Sequence, residues 1–163
     1  MKKFKDLPGH SRVWIYQSNR VLSNDEISTI ESRGRSFIEN WSAHGADLNG
    51  ALEVIYKQFI VLALDEQVAS ATGCSIDKSV HFFQQLGNDF NVDLFNRLLI
   101  AYRVDDSIEL LPMSDFQDQL ANGKFTENTQ VFNNLVTTLD EFRNQWEVAV
   151  KDSWHKQLLP TNV

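Results

Sequence analysis

The sequence predicts an α+β fold, with a mixed or mostly antiparallel sheet and helices packed on it. Short bulky apolar segments suit strands, pairs of them lie close enough to form hairpins, and helical apolar spacing follows capping motifs. The predicted order is β-α-β-β-α-β-β-α-β-α, and the hairpins separate this class from a doubly wound parallel fold. The first six elements follow the ferredoxin-like order. We expect one globular domain over 1–163, with flexible ends at 1–10 and 156–163.

The first predicted strand is Arg12–Gln17, whose bulky run at 13–16 suits a strand covered on both faces. Ser23 and Glu26 then form a capping box, in which each side chain accepts a hydrogen bond from the other residue's backbone amide. The following helix carries an apolar stripe at Ile27, Ile30, Gly34, Phe37 and Trp41. A glycine on this stripe predicts close packing against a neighbouring element.

The middle of the chain predicts two strands within 52–64, joined near Lys57-Gln58, and a second helix. The segment Phe59–Leu64 is apolar throughout, which is typical of a central strand. Ser75 is expected to cap the second helix. Its buried stripe is predicted at Ile76, Val80, Phe83, Leu86 and Phe90.

The last third predicts a hairpin of residues 98–104 and 107–111, then a short helix. A capping box at Ser114–Gln117 opens that helix, and Gly123 ends it. A further strand is predicted over 130–136, and Thr138–Glu141 opens the last helix. The tail through Trp154 has no clear period.

Charge and composition argue against several classes of function. The 22 acidic and 15 basic residues give a net charge of −7, which disfavours nucleic-acid binding because that binding depends on clustered Lys and Arg. Cys74 is the only cysteine, so no intrachain disulfide can form, which fits a reducing compartment. The first residues lack the apolar run of a signal peptide, and the longest apolar stretch is far short of the ~20 residues of a membrane helix. A cytoplasmic location without membrane insertion is therefore expected.

Five segments together resemble a family of small, functionally uncharacterised bacterial proteins, and the likeness covers almost the whole chain. They are Arg12–Arg20, Ala43–Gly45, Gly73–Asp77, Val131–Val136 and Ser153–His155. Members of that family often carry the name "ABC transporter ATPase", and the resemblance implies no family-level mechanism.

The residues contradict that name. Phe59–Leu64 followed by Asp65-Glu66 has the form of a Walker B strand, but a P-loop ATPase also needs G-x-x-x-x-G-K-[ST] to hold the triphosphate. The sole Gly-Lys pair, Gly123-Lys124, is followed by Phe125, and an aspartate stands where the earlier glycine belongs. The sequence therefore excludes a P-loop ATPase.

Cys74 is one candidate for chemistry, because it precedes the helix predicted from Ser75. Amide dipoles at a helix start favour a reactive thiolate. A base would come from one of three histidines, namely His44, His81 or His155. His81 lies about 10 Å along the helix axis, too far for direct activation. The alternative is a buried, inert cysteine in a tight turn.

Asp77 and His81 lie four residues apart and predict a surface pair on the second helix. With Asp65, Glu66 and His44 they form an alternative set of oxygen and nitrogen ligands for a divalent metal. The sequence contains neither H-E-x-x-H nor paired cysteines, so the metal signal is weak.

Two Trp–His neighbourhoods are candidates for binding. Trp41 continues the stripe of the first helix, and His44-Gly45 is expected to stop that helix. Trp154 and His155 have no structural explanation in the sequence, so we expect a binding role there, with an aromatic and an imidazole stacking on a ligand or partner.

Two functions follow as hypotheses. The first is a non-catalytic binding or interaction protein with a protein or small-molecule partner. The alternative is a small cytoplasmic, hydrolase-like enzyme, and the sequence identifies no residue that binds a cofactor. The site of that enzyme would comprise Asp65, Glu66, Cys74, Asp77 and His44.

Overall fold

The computed structural model describes residues 2–161, whose contacts form two compact units. The first comprises residues 2–95 and Thr137–Asp140, and the second comprises Asn96–Val136 and residues 141–161. That residues 1–163 form a single domain stays a prediction. The expected flexibility of 1–10 and 156–163 also stays a prediction, and residues 1, 162 and 163 lie outside the described residues.

The first unit contains a three-stranded antiparallel sheet, in which Phe59–Asp65 lies between Arg12–Gln17 and Asn49–Ile55. Its elements in chain order are β1 (Arg12–Gln17), α1 (Asn24–Glu39), β2 (Ser42–Ala43), β3 (Ala46–Asp47), β4 (Asn49–Ile55), β5 (Phe59–Asp65) and α2 (Gly73–Phe90). All seven residues of β5 are buried, so the predicted central strand is confirmed. Leu52 and Leu62 lie in the core of this unit together with Ile30 of α1 and Phe83 of α2.

Helix α1 begins and packs as its sequence predicts. The Ser23 hydroxyl accepts a hydrogen bond from the Glu26 amide at 3.1 Å, and the Glu26 carboxylate accepts one from the Ser23 amide at 2.9 Å. A Cβ on Gly34 would lie 3.0 Å from the nearest Leu52 methyl group, so α1 packs closely on β4 and a larger residue here would require Leu52 to move. The capping box and the close packing are both confirmed.

Helix α2 begins three residues earlier than predicted. Thr72, not Ser75, is the N-cap, and its hydroxyl accepts from the Ser75 amide at 3.2 Å. Ser75 fills the third helical position, where its own hydroxyl accepts from the Thr72 amide at 2.7 Å. The pair is a capping box in which Ser75 is the second partner, so Cys74 lies inside the first turn of the helix rather than before it.

His44-Gly45 does not stop α1. The helix ends at Glu39 with Asn40 as its C-cap. His44 and Gly45 instead form the turn between β2 and β3, with φ angles of 51° and 77°. Both residues have positive φ, as the tightest hairpin turns require, and the short strands on either side have no periodicity to reveal them.

The second unit contains a four-stranded antiparallel sheet, whose strands in order across it are Ser107–Pro112, Leu99–Val104, Gln130–Phe132 and Glu147–Ala149. Its elements are β6 (Leu99–Val104), β7 (Ser107–Pro112), α3 (Met113–Ala121), β8 (Gln130–Phe132), α4 (Leu139–Gln145, whose first two residues belong to the first unit) and β9 (Glu147–Ala149). The predicted hairpin is confirmed as β6 and β7, and the last helix as α4. The strand predicted over 130–136 ends at Phe132.

The capping box predicted at Ser114–Gln117 is wrong. Helix α3 follows β7 directly, with Pro112 as its N-cap and no side-chain cap, so Ser114 already lies inside the helix. Gly123, at φ +80°, follows the C-cap Asn122 and ends the helix as predicted. The aperiodic tail forms two short 3-10 helices, Val150–Asp152 and Trp154–Leu158.

The α+β class is confirmed, with four helices and antiparallel sheets in the part of the chain that the structure describes. The ferredoxin-like order is not completed in the first sheet, because β6 pairs with β7 and β8 in the second. Among residues 2–161, no helix has the length and apolar character that a membrane span requires.

Candidate functional site

The acids at the end of β5 are held in a polar cluster. Asp65 is buried, and both of its carboxylate oxygens have partners. Oδ1 accepts a hydrogen bond from the Gln67 amide at 3.0 Å and lies 3.5 Å from His10 Nε2. Oδ2 accepts a hydrogen bond from the Asn49 side chain at 3.4 Å. Glu66 forms an ion pair with Arg12 at 3.6 Å. The sheet register explains the cluster, because the end of β5 lies opposite the beginning of β1 on one side and of β4 on the other.

This cluster continues into a small cleft beside α1. The Lys2 ammonium donates to the Asn49 side chain, so Lys2, Asn49, Asp65 and His10 form one polar chain. The cleft has a volume of about 280 Å³ and mixed charge. Its lining residues include Lys2, Arg35, Glu39, Asp47 and Asn49. Sequence reasoning missed His10, which the antiparallel pairing of β1 with β5 brings to Asp65.

The other predicted catalytic residues are not joined to these acids. His44 is exposed at the tip of the β2–β3 turn, and Asp77 is exposed on α2. Cys74 is exposed, so the alternative of a buried cysteine is wrong. No hydrogen bond or ion pair within residues 2–161 connects any of these three to Asp65 or Glu66. The described residues also contain no group of three His, Cys, Asp or Glu side chains that could hold a metal ion.

Trp154 and His155 belong to the core of the second unit. His155 is 1% exposed, and its Nδ1 lies 2.6 Å from the Ser153 hydroxyl. Burial lowers the pKa of His155 to about 4. Trp154 stacks on the His155 imidazole with ring centroids 4.0 Å apart, and Phe116 packs edge-on against the same imidazole at 6.5 Å. Packing therefore accounts for both residues, and the binding role expected for them stays a prediction.

A larger groove runs between α1 and α2, which we call the α1–α2 groove. It has a volume of about 520 Å³ and is open to solvent. Nine residues line it: Ser32, Arg33, Ser36 and Phe37 of α1, Asn40 and Trp41 just after α1, and Lys78, Phe82 and Gln85 of α2. Three of these nine side chains are aromatic.

Phe37 and Phe82 form an aromatic floor beside Trp41, which is itself fully buried. Phe37 stacks on Phe82 with ring centroids 4.6 Å apart and planes inclined by 15°, and it also contacts Trp41 at 5.3 Å. The Trp41 indole N–H donates to the Ser75 carbonyl at 2.9 Å and so fixes the segment after α1 to the first turn of α2. Phe37 and Phe82 are half-buried, which leaves part of each ring available to a ligand.

The rim of the α1–α2 groove is polar and carries positive charge. Arg33 lies on the α1 side and pairs with Asp89 at 2.8 Å. Lys78 lies on the α2 side, is exposed, and has no hydrogen bond or ion pair with any described residue. None of the described residues that line the groove carries a carboxylate.

Phe82 was absent from the stripe predicted for α2, although two adjacent aromatics at 82–83 indicate that one lies at the edge of the buried face.

Comparison with known proteins gives no assignment: no family model matches the chain, and neither the curated proteins nor the solved structures contain a match. The resemblance to the small bacterial family therefore stays a prediction. Gly123-Lys124, the sole Gly-Lys pair, follows the end of α3, whereas the glycines and lysine of a P-loop precede a helix and present backbone amides to phosphate.

Proposed function

We propose that this chain is a non-catalytic binding protein that holds a segment of a protein partner in the α1–α2 groove. The observation that carries the proposal is the half-buried Phe37–Phe82 pair at the base of an open groove between two helices. Pockets for small molecules enclose most of the ligand surface. An open apolar groove between helices is a form that accepts an amphipathic helix from a partner.

The enzyme alternative rests on one observation, the contact between His10 and Asp65. A general base must lie within hydrogen-bond reach of the group that it deprotonates. Ser11 is the nearest hydroxyl in sequence, but it is fully buried, so a substrate cannot reach it. Cys74 is exposed and contacts no histidine among the described residues. Because neither Ser11 nor Cys74 is placed as a nucleophile next to a histidine and open to a substrate, we favour binding over catalysis.

The test fills the groove without disturbing its packing. Ser36 is an exposed groove residue of α1, so Ser36→Trp places a large side chain over the aromatic floor. Gln117→Trp is the matched control, because Gln117 is exposed on α3 and does not line the groove. Wild-type and variant chains carry an affinity tag, and the proteins that each recovers from a lysate of its source cells are quantified by mass spectrometry.

We expect at least one protein to be recovered by the wild type and by Gln117→Trp and to be lost with Ser36→Trp. Circular dichroism and thermal melting establish that all three chains are folded. Identical sets of recovered proteins for all three chains would contradict a role for the α1–α2 groove.

A further inference from the structure

We infer that the segment held in the α1–α2 groove is an acidic amphipathic helix, with an apolar face for the aromatic floor and Asp or Glu beside it. The inference rests on the proposed function and adds the chemistry of the partner. Its basis is the contrast in charge between the groove and the rest of the chain, together with the length of the groove.

The charge of the groove is opposite to that of the whole chain. The chain has a net charge of −7, whereas the described lining residues include two cations and no acid. The cations lie on different helices, Arg33 on α1 and Lys78 on α2, so an occupant lying between the helices meets positive charge on both sides. Complementary potentials of this kind select partners and guide their approach.

The two cations differ in what they already bind. Arg33 donates through Nη1 to Asp89, which orients the guanidinium and offsets part of its charge, while other donors of the five on a guanidinium remain. Lys78 has three donors and no partner among the described residues. Lys78 is therefore the residue on which the preference for an acidic partner chiefly depends.

The dimensions of the groove fit a helix. Its lining on the α1 side extends from Ser32 to the C-cap Asn40, which is about 12 Å at the rise of an α-helix. The outer anchors of an amphipathic helix, at positions i and i+7, lie about 10 Å apart. Anchors one turn apart, about 6 Å along the axis of a partner helix, can contact Phe37 and Phe82, whose ring centroids lie 4.6 Å apart.

The test uses the full chain and three fluorescent helical peptides with the same Leu and Trp anchors at i, i+3, i+4 and i+7. The residues flanking the anchors are Glu in the first peptide, Gln in the second and Lys in the third. Fluorescence anisotropy measures each dissociation constant at about 50 mM and about 300 mM salt, because screening weakens attraction between exposed charges. A single-stranded oligonucleotide with the same number of negative charges as the Glu peptide is the fourth probe.

We expect the Glu peptide to bind about tenfold more tightly than the Gln peptide and the Lys peptide to bind most weakly, with smaller differences at high salt. Lys78→Glu should weaken binding of the Glu peptide about tenfold. Lys5→Glu is the matched control, because it makes the same change of charge at an exposed position outside the groove and should leave binding nearly unchanged. Ser36→Trp should abolish binding of all three peptides.

The outcomes separate this inference from the proposed function. Equal binding of the Glu and Gln peptides, lost with Ser36→Trp, would overturn the acidic preference and leave the groove as a site for helices. Equal effects of Lys78→Glu and Lys5→Glu would overturn the inference, since the attraction would then belong to the whole chain. Tighter binding of the oligonucleotide, or no binding of any peptide, would also overturn it. The proposed function is judged by the recovery of proteins with Ser36→Trp.

Discussion

Acid should destabilise the second unit through His155. The imidazole is almost fully buried, its Nδ1 lies 2.6 Å from the Ser153 hydroxyl, and burial lowers its pKa from the ordinary value of 6.5 to about 4. Burial is the only cause of the lowered pKa, and among the described residues no hydrogen bond or ion pair joins the imidazole to a carboxylate. The folded state therefore favours the neutral form of His155.

The sign and size of the effect follow from this pKa. Between pH 6.5 and about 4 the unfolded chain binds a proton at His155 that the folded chain does not bind, so the free energy of unfolding falls as the pH falls through this window. The contribution of neutral His155 to the free energy of unfolding is fully present above pH 6.5. No further loss arises below about pH 4, where His155 is protonated in both the folded and the unfolded chain. At about 1.36 kcal/mol for each unit of pKa, the total loss is about 3 kcal/mol.

Urea denaturation between pH 7.5 and 4 measures this loss in the wild type and in His155→Asn. The asparagine amide is polar and does not titrate, so the difference between the two curves isolates His155 from every other ionisable group. We expect His155→Asn to be less stable at pH 7.5, with a deficit that shrinks by about 3 kcal/mol at pH 4. Parallel curves, or an imidazole that titrates near pH 6.5 by NMR in the folded protein, would refute the reasoning.

Two further substitutions test the packing and capping of α1. Gly34→Val should lower the free energy of unfolding by about 1–3 kcal/mol, because its Cβ would lie 3.0 Å from the nearest methyl group of Leu52; an unchanged urea midpoint would show that the helix can move away from β4. Ser23→Ala removes the acceptor for the Glu26 amide and should cost about 1 kcal/mol in the same assay. A loss below about 0.3 kcal/mol would mean that water replaces the cap.

The parts of the fold that the sequence predicts well are those in which one short segment decides the structure. Phe59–Leu64 must be buried on both faces, and Ser23 with Glu26 satisfies free helix amides through local contacts alone. The start of α2 is harder, because Thr72 and Ser75 both carry hydroxyls and either can serve as the N-cap. Gly73 follows Thr72 directly, and its poor helix propensity conceals the first turn.

The candidate sites depend on contacts that a single segment cannot reveal. His10 meets Asp65 only because β1 pairs with β5 in one particular register. Phe37 and Phe82 belong to different helices, and the groove between them arises from the way the two helices pack on the same sheet. Sequence periodicity identifies the buried face of each helix, whereas a binding groove forms at the edges of those faces.

Hydrogen bonding distinguishes the Asp65 cluster from the α1–α2 groove within the first unit. Both carboxylate oxygens of Asp65 already have partners, from Gln67, Asn49 and His10, so this cluster holds together the ends of three strands and the segment before them. A network that satisfies its own groups gains little from a ligand, because each new contact would replace an existing one. The α1–α2 groove differs in that Lys78 has no partner among the described residues and the Phe37–Phe82 rings are only half-buried. A binding partner gains free energy by covering apolar surface and donors that the fold itself leaves unused. For this reason we propose the groove, and not the acids of β5, as the binding site.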